Sequence, residues 1–207
     1  MDRPLTFYTH PQSRGRIVRW MLEELGVPYR TEVLAYGAAM KAPAYRVINP
    51  MGKVPAIRHG DVVVTETPAI CAYLADAFPQ AALAPPAAER GDYYRWLFFT
   101  AGPLEQATVN QALGVQVADK QRGFVGYGDL ATVIDTLEGV LRGRTYIAGH
   151  HFSAADVYLG SSLGWGMQFD TIPRRDAFVA YVDHLHQRPA WQRAQQIDDA
   201  LMKQMAA

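Results

Sequence analysis

Asn49-Pro50-Met51-Gly52-Lys53-Val54-Pro55 and, one short hairpin later, Glu66-Thr67-Pro68 decide the fold of this chain. Residues 54–58 and Val62–Thr65 then read as two short strands joined at His59-Gly60-Asp61, a hairpin. Thr67-Pro68 opens a helix, with Thr67 expected as its N-cap and Pro68 at the first helical position. Ile70, Tyr73, Leu74 and Ala77 supply its apolar face. Upstream, Leu5–Thr9 alternates like a strand, and His10-Pro11-Gln12 breaks it. From Ser13 a helix is predicted, with the stripe Ile17, Val18, Met21, Leu22 and Leu25 and its end at Gly26. Residues 29–34 read as a second strand and 39–47 as a short helix. The predicted order is β-α-β-α-β-β-α, an α/β unit.

Residues 81–88, AALAPPAA, carry no charge, and Pro85-Pro86 cannot continue a helix. They read as a linker between a first domain at 1–80 and a second at 89–207. Only helical periods follow. A long aromatic helix is expected over 88–114, and another over Leu130–Leu141. Phe152-Ser153-Ala154-Ala155-Asp156-Val157 matches a capping box, with Ser153 at the N-cap, Asp156 three positions on, and Phe152 and Val157 as a hydrophobic staple. Helices through Phe178–Leu185 and 191–205 complete an expected all-α domain.

The charge balance excludes several classes of function. In 207 residues, 20 basic side chains meet 20 acidic ones, so the chain lacks the basic excess of a nucleic-acid or anionic-membrane binder. No apolar run approaches the roughly 18–20 residues of a membrane span. The N-terminus lacks the apolar core of a signal peptide, and Cys71 has no second cysteine to pair with, so a cytoplasmic protein is expected. No HExxH, paired Cys/His, GxGxxG or P-loop spacing occurs, so neither a metal nor a nucleotide is expected.

The segment Asn49–Pro55, Glu66-Thr67 after it and FSAAD at 152–156, in this order, resemble the cytosolic glutathione S-transferases, bacterial and of the serine type. The resemblance covers nearly the whole chain. It implies a thioredoxin-like N-terminal domain followed by an all-helical one. It implies glutathione as co-substrate, no metal, and a homodimer. It further implies a cis bond at Val54-Pro55, which turns the Val54 N–H and C=O toward the tripeptide backbone like an added strand. Lys53 then meets the glycyl carboxylate. Glu66 pairs with the γ-glutamyl ammonium, and Thr67 stands where the family more often has serine.

The catalytic demand is physical. A free thiol with a pKa near ~8.5 is mostly protonated at neutral pH, and the thiolate is the nucleophile. A helix start supplies a positive dipole end, and a hydroxyl there can donate to sulfur. Ser13 holds that position, with Arg14 and Arg16 beside it; the stretch from His10 to Arg14 resembles serine-type transferases. Tyr8, Thr9 and His10 are the alternatives. Cys71, inside a helix, reads as a small buried hydrophobe. Tyr94, Trp165 and Phe169 are expected to line an electrophile pocket. The expected function is attack of the glutathione thiolate on a small apolar electrophile, a detoxification reaction. The alternatives are glutathione-dependent peroxide or disulfide reduction, and a transferase-fold protein that binds ligands without turnover.

Overall fold

Phe7 and Ile57, side by side on neighbouring strands and both fully buried, seed the first core. The computed structural model describes residues 3–206. Strand β1 (Leu5–Thr9) leads through a turn to helix α1 (Gly15–Leu25), and β2 (Arg30–Val33) returns parallel to β1. Two short helices follow, α2 (Ala38–Lys41) and α3 (Pro43–Arg46), where one was predicted. The hairpin is β3 (Ala56–His59) and β4 (Val62–Thr65), and α4 (Thr67–Ala77) closes the unit. The four-stranded sheet has the order β2-β1-β3-β4, with β1–β2 parallel and the other pairs antiparallel. This is the thioredoxin-like arrangement. Trp20, Met21 and Leu22 of α1 and Ile70 of α4 fill its interior.

The chain forms two compact units: residues up to Ala82 together with those from Gln187 onward, and Leu83–His186. The last helix, α10 (Pro189–Ala206), therefore sits with the first unit, although its periodicity placed it in the helical domain. Its partner is α1, along a seam of ion pairs. Arg16 meets Asp199, Arg19 meets Asp198, Glu23 meets Arg193, and Glu24 meets Arg188. The Glu24–Arg188 pair is bidentate, at 2.6 and 2.8 Å.

The second unit is helical: α5 (Gly91–Phe99), α6 (Glu105–Ala112), α7 (Leu130–Leu141), α8 (Ala154–Gln168) and α9 (Asp176–His186). The predicted helix over 88–114 is interrupted at Thr100–Leu104 by a π-type turn that contains Pro103. Proline removes a backbone donor there, and the Thr100 hydroxyl takes the Trp96 carbonyl at 2.8 Å. The capping box of α8 forms as predicted. Asp156, fully buried, accepts from the Ser153 N–H at 2.9 Å and the Ser153 hydroxyl at 3.0 Å. It also accepts from the Ile147 N–H at 2.7 Å and the Tyr181 hydroxyl at 2.8 Å. Among the described residues no helix is long and apolar enough to cross a membrane.

Candidate active site

Strand register gathers the first unit's chemistry at one end of the sheet. Tyr8, next to the last residue of β1, pairs with Ala56, the first of β3, and Ala56 pairs with Thr65, the last of β4. The loop after β1, the Val54-Pro55 step before β3 and Glu66-Thr67 after β4 therefore emerge together.

The loop after β1 is short and self-bonded. The predicted helix start at Ser13 falls two residues early, because the Ser13 hydroxyl is engaged in the turn. It donates to the His10 carbonyl at 2.6 Å and accepts from the Gly15 N–H at 3.0 Å. Gly15 then opens α1, and a side chain there is excluded by space: a Cβ would lie 1.9 Å from Thr9 Oγ1. Thr9 is fully buried beneath that contact. His10 is buried, and its Nδ1 accepts from the Gln12 N–H at 3.1 Å, so its proton sits on Nε2. Burial lowers its pKa and keeps the ring neutral. The ring packs on Tyr36 at 4.1 Å, and the Tyr36 hydroxyl donates to the Gln12 carbonyl at 3.1 Å. Tyr8 is half-buried against Tyr45, ring centres 5.6 Å apart.

The loop before β3 is clamped from below. The Asn49 amide and the Tyr45 hydroxyl both donate to the Lys53 carbonyl, at 2.8 and 2.7 Å. Asn49 Oδ1 accepts from the Met51 N–H at 3.0 Å. Gly52 has φ +57°, and a Cβ there would stand 2.5 Å from the Met40 carbonyl oxygen, so glycine alone fits. Burial first, and Tyr8 second, push the Tyr45 phenol up to about 12, which keeps it a donor. The Lys53 side chain is exposed. The Val54-Pro55 bond is cis, and among the described residues no hydrogen bond engages the Val54 backbone.

The third element corrects a prediction. Thr67 is not the N-cap of α4. Glu66 is, at φ +64° and ψ 118°; Thr67 is the first helical residue and Pro68 the second. The reason is the first helical bond, from the Ile70 N–H to the Glu66 carbonyl at 2.9 Å. Thr67 is buried and Glu66 exposed. Among the described residues no side chain caps this helix, so the N–H groups of its first turn are unclaimed by a cap. A non-glycine residue at this φ stores roughly 1–3 kcal/mol of backbone strain.

Cys71 lies fully buried within α4, and burial pushes its thiol up to about 12, which excludes it as a nucleophile. The three residues predicted for the electrophile pocket lie in the second unit. Tyr94, on α5, accepts from Arg90 at 3.2 Å; Trp165 is half-buried on α8; Phe169 caps that helix and is exposed. Among the described residues no ring contact joins them. Sequence reasoning missed Tyr36 and Tyr45, the aromatic supports of the two loops. It also missed Gln195 and Asp199, which reach Arg16 from α10. Their partners lie too far away in sequence for any local pattern to signal them.

Comparison with known proteins agrees with this geometry. Residues 13–77 match the family model described as glutathione S-transferase, N-terminal domain, and residues 119–189 the corresponding C-terminal domain. Glutathione S-transferase 3 of Zea mays is 31% identical over 169 residues, 74% of each chain. Glutathione S-transferase GST-4.5 of Xanthomonas campestris pv. campestris is 28% identical over 84% of this chain and 90% of its own. A solved sphingomonad glutathione S-transferase, complexed with glutathione, superposes with a TM-score of 0.76 at 27% identity, over 94% of this chain and 98% of the other.

Proposed function

The chain belongs to the glutathione S-transferase family, and from that premise we propose that it binds glutathione at the sheet end shared by Ser13, Val54 and Glu66 and activates its thiol for attack on a small apolar electrophile. The observation that carries this reading is the backbone of Glu66. A glutamate held at a glycine's φ at the mouth of an uncapped helix is costly to folding, and such strain persists where a ligand uses it.

Each end of the tripeptide meets a matching group. The Glu66 carboxylate takes the γ-glutamyl ammonium, and the N-terminal N–H groups of α4 take the adjoining carboxylate, together with the helix dipole. The Val54 N–H and C=O pair with the central peptide. Lys53 closes on the glycyl carboxylate. The sulfur then lies at the turn before α1. There the Ser13 hydroxyl turns from the His10 carbonyl to donate to it, and the positive end of α1 favours the thiolate. The thiol proton leaves to solvent, the sulfur lone pair attacks the electrophilic carbon, and the leaving group departs with its bonding electrons.

The test is retention on immobilised glutathione, followed by turnover of a chloronitrobenzene. Retention without turnover favours a ligand-binding role over an enzyme. Ser13→Ala is expected to raise the pH midpoint of conjugation, each unit corresponding to about 1.4 kcal/mol of thiolate stability. Glutathione affinity should stay near wild type. If that profile is unchanged while Tyr8→Phe or Thr9→Val moves it, the donor is that residue.

A further inference from the structure

We propose that Arg16 is a positioning residue through which the last helix sets the geometry of the thiol loop; the inference rests on the reading of that loop as the thiol site. The Arg16 guanidinium spends three of its donors at once. Nε donates to the Pro11 carbonyl at 2.6 Å, Nη1 to Gln195 Oε1 at 2.6 Å, and Nη2 pairs with Asp199 Oδ1 at 2.5 Å. The first partner belongs to the turn that carries Ser13, and the other two to α10. The side chain is 18% exposed. A planar fork satisfied on three sides fixes direction as well as distance, which a lysine cannot do.

The turn is held partly from within and partly from outside. The Ser13 hydroxyl and the Gln12 N–H bond to His10 inside the loop, while the Gln12 carbonyl accepts from Tyr36, beyond β2, and the Pro11 carbonyl from Arg16. Among the described residues, the Pro11 carbonyl has Arg16 as its one hydrogen-bond partner. Docking of α10 does not require this contact. The seam already contains Arg19–Asp198, Glu23–Arg193 and the bidentate Glu24–Arg188 pair, none of which reaches the loop. The Arg16 link is thus an addition at the catalytic end of the seam. It makes the direction of the Pro11 carbonyl, and with it the placement of the Ser13 hydroxyl, depend on residues far away in sequence.

Two roles for Arg16 predict opposite signs. As a bare positive charge near sulfur, it would act more strongly once Asp199 is neutralised, and the thiol's pH midpoint would fall. As a positioning group it loosens when its α10 partners go, and the midpoint rises. The charged groups facing it, Asp199 and the buried Asp198 on α10, enter both cases. The experiment compares Arg16→Gln, the double variant Gln195→Ala/Asp199→Asn, and Arg193→Gln as a seam control. Arg16→Gln should lower kcat about ten-fold and raise the pH midpoint by about half a unit, with the KM for glutathione within about two-fold of wild type. The double variant should move both in the same direction by about a third as much. Arg193→Gln should leave the profile unchanged. Backbone amide exchange at Ser13 and Gly15 should quicken in the first two variants and not in the third.

A lower midpoint in the double variant overturns the proposal in favour of a charge effect. Equal shifts in all three variants reduce Arg16 to general stability. Failure of the wild-type protein to bind immobilised glutathione would instead overturn the functional reading, and amide exchange would still decide whether α10 holds the loop.

Discussion

At position 66 the backbone is glycine-like and the residue is glutamate. The φ of +64° costs roughly 1–3 kcal/mol for any side chain with a Cβ, and glycine relieves it at a price of about 0.5–1 kcal/mol in chain entropy. Glu66→Gly should therefore stabilise the protein by about 1 kcal/mol and lower glutathione affinity about ten-fold or more, because a charge-assisted contact is lost. Glu66→Ala keeps the strain and should lose the affinity without the gain. Denaturant midpoints and titration calorimetry on the pair separate the two effects. Unchanged affinity in both variants would place the γ-glutamyl group elsewhere. The residue types at this end of the sheet are legible in the sequence, since Asn, Gly and Pro punctuate the chain wherever the backbone leaves regular geometry. What each residue does is less so. Asn49 and Gly52 shape the loop that presents Val54, and the Ser13 hydroxyl already serves its own turn.

Among elements, α8 is anchored by one carboxylate. Asp156 is buried among four donors from Ser153, Ile147 and Tyr181, which joins the helix start to the segment before it and to α9. Desolvation raises its pKa, and the donors oppose that rise. Asp156→Ala leaves those donors unpaired in the interior and should cost about 3–5 kcal/mol, roughly 10 °C in melting temperature for a chain of this size. Ser153→Ala removes the cap and one of those four donors but leaves the carboxylate with the other three, and should cost about 1–2 kcal/mol. Activity per folded molecule should survive both, as thermal scans and assays of the native fraction would show. Full stability with abolished turnover would make Asp156 a catalytic group. The S-x-x-D spacing reveals the box because capping is local. Ile147 and Tyr181 leave no such trace, since their approach depends on packing. The same limit explains α5 and α6: periodicity runs through Pro103, and only the structure shows where the helical ladder slips.

At the scale of the whole chain, periodicity tells which stripe of a helix is apolar but not which unit the stripe packs on, and so α10 reads as part of the helical domain. The pairs that bind it to α1 span some 170 residues; Arg16–Gln195 and Arg19–Asp198 are each 179 apart. Self-association is a question of the same scale. Tyr94 and Phe98 stand one turn apart on α5, so they share a face of that helix, and they are 42% and 69% exposed. Single exposed apolar residues are ordinary, but a pair of aromatics aligned on one helix face is surface that a partner can cover. A second copy of this chain suits it. The formal net charge is zero, so two copies meet without long-range repulsion, and a two-fold contact would set each Phe98 into the same environment. A stable contact of this kind buries above about 1,200 Å² in total. The protein is therefore expected to run in light scattering at twice its 23.0 kDa chain mass at micromolar concentration. Phe98→Glu, which places a carboxylate on both sides of the contact, should return it to the single-chain mass while leaving the fold intact by circular dichroism. A single-chain mass for the wild-type protein would end the dimer proposal. An unshifted dimer in the variant would move the contact to another face.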